Sequence, residues 1–152
     1  KKITYKGVKT FNPYNGIPIT ALVAEDLIGK FFNADNAELS FDDYFANLSA
    51  DYPNVNLIYF QSNVEGELIN FLHEKGFELD AIILNAGGYT HTSVALADAI
   101  SSIKSDVIEV HISNIYSREE FRRKSLIAPY CKGSICGFGL DSYRLAIQSL
   151  IH

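Results

Sequence analysis

Two different patterns of apolar and polar residues alternate along the chain from residue 40 onward. Short apolar runs at residues 55–61, 80–85, 107–112 and 134–136 are bounded by turn-forming residues, as buried strands are. Before the first run, apolar side chains recur three and four residues apart and predict a helix over residues 41–51. Between and after the runs we predict further helices over residues 65–75, 90–103, 117–123 and 142–151, several of them opening on capping residues. Strands that alternate with such helices predict βα units and a doubly wound parallel sheet, an α/β fold.

Particular residues are predicted to begin and end these helices. Ser40 precedes two acidic residues and predicts an N-cap, and Asn63 and Asp141 are predicted to cap the second and the last helix. Gly76 follows the helix at 65–75 and predicts a C′ glycine, the position where helices commonly end in left-handed backbone.

The first 39 residues follow neither pattern clearly. Apolar residues around Gly7 indicate a strand or hairpin, and Asn and Pro with Gly16 indicate a turn over residues 12–16. Thr20 is a candidate cap for a short helix over residues 21–32, with two acidic residues near its start.

The composition predicts one packed domain, residues 1–152, in the cytoplasm. Apolar residues make up 47% of the chain and charged residues 20%, which favours a folded globule over disorder. No apolar run approaches the roughly 18 residues of a membrane span, and the first residues lack a secretory signal. Cys131 and Cys136 have no neighbouring ligands, so we expect no zinc site and reduced thiols.

The charges argue against nucleic acid as a partner and favour a small anion. The formal net charge is −5, whereas nucleic-acid-binding domains are commonly basic. All the arginines nevertheless fall in the last 35 residues, at positions 118, 122, 123 and 144. Arg118 and Arg122 are one helical turn apart, and so are Glu119 and Arg123, which predicts a cationic face beside an ordinary ion pair.

Candidate chemistry gathers where two predicted strands end. Asn85 ends one strand just before two glycines, and His111 and Ser113 end the next. Because ligands of parallel sheets bind outside the carboxyl ends of the strands, we expect these side chains and His91 to share one crevice. Each residue also has an ordinary interpretation, since Asn85 suits a turn and His91 suits a helix start.

Glu109 and His111 are two residues apart and would share one face of a strand. A carboxylate beside an imidazole orients it and favours its protonated form, which would make His111 a general acid. A strand-end histidine satisfied by backbone is the alternative. His73, in a charged helix, and the terminal His152 carry no such signal, and the Gly137-Phe138-Gly139 motif is too short for a dinucleotide site.

Several longer motifs carry more information when they are considered together. Their order along the chain is Phe60-Gln61-Ser62-Asn63-Val64-Glu65-Gly66, Asn85-Ala86-Gly87-Gly88-Tyr89-Thr90-His91-Thr92-Ser93, Glu109-Val110-His111-Ile112-Ser113-Asn114, Arg118-Glu119-Glu120-Phe121-Arg122 and Gly137-Phe138-Gly139 with Tyr143. In this order they resemble the type II 3-dehydroquinate dehydratases, and the resemblance covers residues 40–152.

The resemblance implies a flavodoxin-like, doubly wound parallel sheet of five strands in a three-layer αβα arrangement. It implies elimination of water from 3-dehydroquinate without metal or organic cofactor, by a cytoplasmic homo-oligomer, a trimer-based dodecamer. By motif, His111 resembles the general acid and Glu109 its supporting carboxylate. The residues that resemble substrate contacts are Asn85, His91, Ile112, Ser113, Arg122, Arg118 near a lid, and Asp98, which reaches a neighbouring subunit's site.

Residues 1–39 depart from the family. Members begin with an Asn-Gly-Pro-Asn-Leu-Asn motif and a lid carrying an arginine and the tyrosine that removes the proton, whereas here the first arginine is Arg118. Tyr5 and Tyr14 are the only tyrosines in this segment, and neither is assigned as the base. The segment is divergent, and an engineered, rearranged or degenerate origin would each explain it.

Overall fold

The main sheet of the protein consists of parallel strands. The structure, a computed structural model, describes residues 18–23, 31–32 and 38–151. The strands of the main sheet are β1 (Pro18–Val23), β4 (Asn56–Gln61), β5 (Ala81–Asn85), β6 (Asp106–His111) and β7 (Gly133–Cys136). They lie side by side in the order β4-β1-β5-β6-β7. A short antiparallel pair is formed by β2 (Phe31–Phe32) and β3 (Glu38–Leu39). The prediction of a parallel α/β sheet is confirmed.

Four of the five predicted helices are present in the structure. The ends of α1 (Phe41–Asp51) and α2 (Glu65–Lys75) are as predicted, and those of α3 (Val94–Ser102) and α4 (Asp141–Leu150) are shifted. The prediction of one helix over residues 90–103 is wrong at its start, because a 3-10 segment, Gly87–His91, precedes α3. The hydroxyl of Ser93 accepts the Leu96 N–H at 2.8 Å and so fixes the N-terminus of α3. Among the described helices, none is long and apolar enough to cross a lipid bilayer.

Alternate residues of the central strands face two separate apolar cores. Ile82 and Leu84 of β5 pack with α2 and α3, whereas Ile83 between them packs with α1 and α4. The same alternation holds on β6, where Val107 faces the first core and Ile108 the second. A strand that is buried on both faces has a continuous run of apolar residues, so β5 and β6 can be predicted from the sequence.

The cap predictions have different outcomes. Ser40 is confirmed as the N-cap of α1, and its hydroxyl accepts the Asp43 N–H at 3.1 Å. Asn63 is not the cap of α2, which has Val64 at that position without a side-chain hydrogen bond. Asp141 is the first residue of α4 rather than its cap, so its carboxylate acts through the positive end of the helix dipole.

The prediction of a helix over residues 21–32 is wrong at both of its described ends, because residues 21–23 belong to β1 and residues 31–32 form β2, whereas residues 24–30 lie outside the described residues. β1 pairs in parallel with β4 on one side and β5 on the other. Ile, Thr and Val favour extended backbone, and Pro18 occupies the first strand position, where its missing N–H is tolerated. The pairing partners on both sides are distant in sequence, so a local pattern carries little information about this strand. The strand or hairpin around Gly7 and the turn at 12–16 lie outside the described residues.

Gly76 ends α2 for a reason other than left-handed backbone. Its φ is −67°, in the right-handed region, so the expected C′ conformation is wrong. A Cβ at this position would lie 2.5 Å from Ile103 Cβ and 2.5 Å from the Leu72 carbonyl oxygen. The Gly76 carbonyl also accepts the backbone N–H groups of Lys104 and Ser105, at 3.0 and 2.8 Å. Glycine is therefore required by the close approach of α2 to the loop before β6.

We expect Gly76→Ala to destabilise the fold by about 1–3 kcal/mol, because the new methyl group must displace backbone or the Ile103 side chain. Gly66→Ala, in α2, is the matched control: a Cβ there meets nothing within 4 Å, so we expect the variant to gain up to about 1 kcal/mol. Urea unfolding measures both values. Equal stabilities of the two variants would contradict the close-approach explanation.

Candidate active site

The ends of β5 and β6 lie side by side, as the sequence predicts. The two strands pair in parallel with Leu84 opposite Glu109, so Asn85 and His111 both lie at the carboxyl ends. The first turn of α4 joins these ends: the Ser142 hydroxyl donates to the His111 carbonyl at 3.1 Å, and the neighbouring Tyr143 contacts Asn85. One helix terminus therefore fixes both strand ends.

Asn85 is held rigidly on the α4 side of the sheet. Its Nδ2 donates to the Tyr143 hydroxyl at 2.9 Å, and its Oδ1 accepts the Gly87 N–H at 3.2 Å. Tyr143 is fully buried against Phe41, with ring centroids 5.4 Å apart. These bonds are compatible both with a turn-forming role of Asn85 and with a role in binding a ligand. They leave the second hydrogen of Asn85 Nδ2 available as a donor.

Glu109 and His111 form the buried pair that their spacing predicts. His111 Nε2 donates to Glu109 Oε1 at 2.9 Å, and the residues are 6% and 1% exposed. The carboxylate also accepts hydroxyl hydrogens from Ser125 at 2.7 Å and Ser134 at 2.5 Å. Because the carboxylate occupies Nε2, the nitrogen through which His111 can serve a ligand is Nδ1.

The carboxyl of Glu109 is stabilised as an anion. Burial would raise its pKa, but hydrogen bonds from His111, Ser134 and Ser125 outweigh burial and lower the pKa below its ordinary value of 4.5. An ionised carboxylate can only accept, so the hydrogen on Nε2 of His111 is fixed in place. This arrangement can deliver a proton from Nδ1 and retain the neutral Nε2–H tautomer afterwards.

His91 lies next to His111. It ends the 3-10 segment before α3, and its Nδ1 donates to the Lys124 carbonyl at 2.7 Å. The two imidazole rings are nearly parallel, at 17°, with centroids 6.3 Å apart. The carbonyl fixes His91 through Nδ1, so the ring nitrogen that could serve a ligand is Nε2. The structure therefore brings together both histidines that the sequence singled out.

The segment after β6 differs from its prediction. Residues 117–123 form two 3-10 turns, Ile115–Ser117 and Glu120–Arg122, in place of one helix. With three residues per turn, Glu119 is closest to Arg122, whose Nε lies 3.4 Å from the Glu119 carboxylate without hydrogen-bond geometry. The expected Glu119–Arg123 pair is wrong, because Arg123 donates to the Arg118 carbonyl at 3.0 Å.

The remaining predicted site residues do not all lie at the ends of β5 and β6. Arg144 lies on α4 and pairs with Asp51 at 2.8 Å, so it does not join Arg118 and Arg122 in one patch. Ile112 and Ser113 directly follow His111, with Ile112 packed on the α1 and α4 core and Ser113 exposed. Asp98 is exposed on α3 and forms no contact with these residues within the described part of the chain.

Some predictions cannot be placed. Tyr5, Tyr14 and His152 lie outside the described residues. His73 is exposed on α2, away from the strand ends. Within the described ranges, no three His, Cys, Asp or Glu side chains are grouped as ligands of a metal ion would be.

Ser125, Ser134 and the Lys124 carbonyl are the parts of the site that the sequence did not indicate. Ser125 lies in an irregular segment and Ser134 in a short strand, and both converge on Glu109 from distant positions. Nothing in their spacing connects them to a carboxylate. The only available signal is that a buried anion requires donors, without saying which residues supply them.

The chain is similar in sequence to known proteins over most of its length. The family sequence model described as Dehydroquinase class II matches residues 27–151. A 3-dehydroquinate dehydratase of Campylobacter jejuni (strain 81-176) is 56% identical over 104 residues, 68% of this chain and 65% of that protein. A 3-dehydroquinate dehydratase of Bacillus pumilus is 52% identical over 102 residues, 67% of this chain and 69% of that protein.

A solved structure agrees with these matches. The type II dehydroquinase of Butyrivibrio crossotus superposes with a TM-score of 0.78 at 34% identity, covering 90% of this chain and 98% of that one. The aligned part of the chain spans 65% of the length of the Campylobacter relative, slightly less than two thirds.

The lowered pKa of Glu109 predicts a pH-dependent contribution to stability. Between the folded pKa and the ordinary value of 4.5, the unfolded chain holds more protons, so the ionised carboxylate stabilises the fold above 4.5. This contribution is lost as pH falls through the folded pKa. We therefore expect the difference in unfolding free energy between wild type and Glu109→Gln to be largest at neutral pH and to narrow in acid.

Urea unfolding from neutral pH to below 4.5 measures this difference. Glu74→Gln, an exposed glutamate on α2, is the control, and its difference from wild type should stay small throughout. A Glu109→Gln difference that is independent of pH would show that the ionised carboxylate does not stabilise the fold.

Proposed function

Because the chain belongs to the class II dehydroquinase family, we propose that it eliminates water from 3-dehydroquinate to give 3-dehydroshikimate. The observation that carries the proposal is the buried Glu109–His111 pair, whose imidazole lies beside that of His91 at a strand end. A dehydratase requires a group that protonates a poor leaving group, and an imidazole held by a buried carboxylate is such an acid. The family of the chain and the geometry of this pair support the same reaction.

His111 acts as the general acid in this proposal. A base takes the proton next to the ketone, and the electron pair of the resulting enolate forms the ring double bond as the C–O bond breaks. The hydroxyl leaves as water with the proton from His111 Nδ1, while Nε2–H remains bonded to Glu109. No base is assigned, since the sequence offers only Tyr5 and Tyr14 in the divergent segment.

The polar groups around the pair serve the substrate. His91 Nε2 and the second Nδ2 hydrogen of Asn85 bind ring hydroxyls, and Arg122 binds the carboxylate, together with Ile112 and Ser113 at the end of β6. Arg118 belongs to the lid region of the site. The fixed orientation of His91 and Asn85 supports these roles, since both are held by hydrogen bonds on their other sides.

The remaining properties follow the family. We propose a single domain with the flavodoxin-like five-stranded sheet, acting in the cytoplasm without cofactor as a trimer-based homododecamer. The strand order supports the flavodoxin-like sheet. The exposure of Asp98 on α3 supports the proposal that this side chain reaches a neighbouring subunit's site.

We expect His111→Ala to lower kcat for 3-dehydroquinate by about 10²–10⁴-fold, since a positioned acid contributes that much. The growth of enoate absorbance measures turnover. His73→Ala is the matched control, because it removes an exposed imidazole on α2, and its rate should equal that of wild type. Turnover that is equal in the His111→Ala variant and wild type would remove His111 as the acid.

A second function is favoured by the sequence of residues 1–39, which holds no arginine and neither of the family's opening motifs. The same site would then bind a small cyclic carboxylate without converting it. A lysine does not replace the planar guanidinium of the lid, because it lacks the two-pronged donor geometry. Binding without turnover distinguishes this function from the enzyme.

Arg122→Ala tests the carboxylate site under either function. We expect calorimetry to show 3-dehydroquinate binding weakened roughly 10- to 100-fold, the value of a hydrogen bond to a charged group. Arg144→Ala is the control, because Arg144 of α4 is paired with Asp51 of α1. The affinity of this variant for 3-dehydroquinate should equal that of wild type. Equal affinities of the two variants would exclude Arg122 from the site, and no heat from wild type would exclude the binding function.

A further inference from the structure

The oxygen of Glu109 that holds His111 is itself held by Ser125. Oε1 accepts Nε2–H of His111 at 2.9 Å and the Ser125 hydroxyl at 2.7 Å. The Ser125 oxygen in turn accepts the Ala128 N–H at 2.9 Å, at the start of the 3-10 turn Ala128–Tyr130. Because an ionised carboxylate can only accept, the Ser125 hydroxyl hydrogen is directed at Oε1, while the Ala128 N–H is bound at a lone pair of the hydroxyl oxygen.

The residue before Ser125 orients the other imidazole. The Lys124 carbonyl accepts Nδ1–H of His91 at 2.7 Å, so two consecutive residues hold both histidines of the site. The backbone nearby is anchored as well, since the Leu126 N–H donates to the Thr90 carbonyl at 2.8 Å, one residue before His91. The nearly parallel imidazoles therefore share one short segment as their support.

We propose that Ser125 is a positioning residue for the elimination, acting through Glu109 Oε1 on the imidazole of His111. The inference deepens the proposed function, in which His111 is the acid, and gives the segment 124–125 a role in aligning both imidazoles. Ser125 does not touch the reacting atoms.

Ser134 differs from Ser125 in two respects. It donates to Oε2, the carboxylate oxygen that does not hold His111, and it lies on β7 at an exposed position. Water can replace an exposed hydroxyl at little cost, whereas the Ser125 hydroxyl lies between Glu109 and the Ala128 N–H. The two serines are thus expected to differ in their effect on His111.

The other ionisable groups facing this pair do not substitute for the hydroxyl. Burial, and then the charge of Glu109, raise the pKa of the Cys131 thiol to about 12, so the thiol is neutral. His91 faces the ring of His111 and is bonded to the Lys124 carbonyl. Loss of the Ser125 hydroxyl therefore leaves Oε1 with His111 as its one hydrogen-bond donor within the described part of the chain.

Steady-state kinetics of Ser125→Ala provide the first test. We expect kcat for 3-dehydroquinate to fall roughly 10- to 100-fold, the value of one hydrogen bond to a charged group, with KM changed less than about twofold. Ser125→Thr keeps the hydroxyl and should recover most of kcat, and Ser134→Ala should lose less than Ser125→Ala. Ser149→Ala is the matched control, because its hydroxyl bonds only a carbonyl within α4.

Imidazole ¹⁵N spectra of the free protein provide the second test, which needs no turnover. In wild type, neutral His111 should show only the Nε2–H tautomer, and in Ser125→Ala it should show a mixture of tautomers, while His91 keeps Nδ1–H. Ser125→Cys, which keeps the side-chain size with a weak donor, gives the same readout if the alanine variant does not fold.

The outcomes separate the two proposals. Wild type that fails to convert 3-dehydroquinate would defeat the proposed function, while the ¹⁵N spectra still decide whether Ser125 orients His111. Wild-type turnover with unchanged kcat and His111 signals in Ser125→Ala would overturn the positioning role alone. A loss in Ser125→Ala that Ser125→Thr does not recover, with His111 signals unchanged, would also overturn it, since it indicates a structural effect.

Discussion

The charge of Glu109 inside the protein is the constraint on which the rest of the site depends. A carboxylate that is 1% exposed is costly to bury unless all of its acceptor capacity is used, and breaking one partner leaves the charge uncompensated. His111, Ser125 and Ser134 supply the donors from β6, the loop after it and β7. The imidazole is therefore oriented as a consequence of satisfying the anion, and the orientation lasts as long as the fold does.

The pleat of the sheet determines which groups face this anion. On β6, Glu109 and His111 share the face of Val107, toward α3 and the segment that carries Ser125, whereas Ile108 and Val110 face α1 and α4. On β5, Asn85 shares the face of Ile83, so it meets Tyr143 of α4. Asn85 and His111 thus flank the sheet edge from opposite faces, and the first turn of α4 links them through Ser142 and Tyr143.

The sequence predicts the parts of this arrangement that depend on short-range pattern. Continuous apolar runs predict β5 and β6, and the two-residue spacing of Glu109 and His111 places them on one face, as observed. It does not predict β1, because that strand is stabilised by neighbours distant in the chain, and its last three residues fall within the helix predicted over residues 21–32. The sequence does not predict the other partners of the site for the same reason, because only the tertiary fold brings Ser125 and Ser134 to Glu109 and the Lys124 carbonyl to His91. A 3-10 turn brings together residues three apart, such as Glu119 and Arg122, whereas an α-helix also brings together residues four apart. A segment of only seven residues is too short for its sequence pattern to distinguish the two kinds of helix.

In the proposed elimination, the acid and the base would belong to different parts of the chain. The hydrogen bonds described for Asn85, Glu109 and His111 join residues that lie between Asn85 and Tyr143. Residues 1–39 hold no arginine, although the family sequence model already matches the chain from residue 27. Residues 18–23 also support the candidate site, because β1 pairs with β5, the strand that ends at Asn85. The hydrogen bonds that orient the His111 imidazole therefore come from residues 109 to 134, while the strand that carries it is supported by the sheet to which β1 belongs.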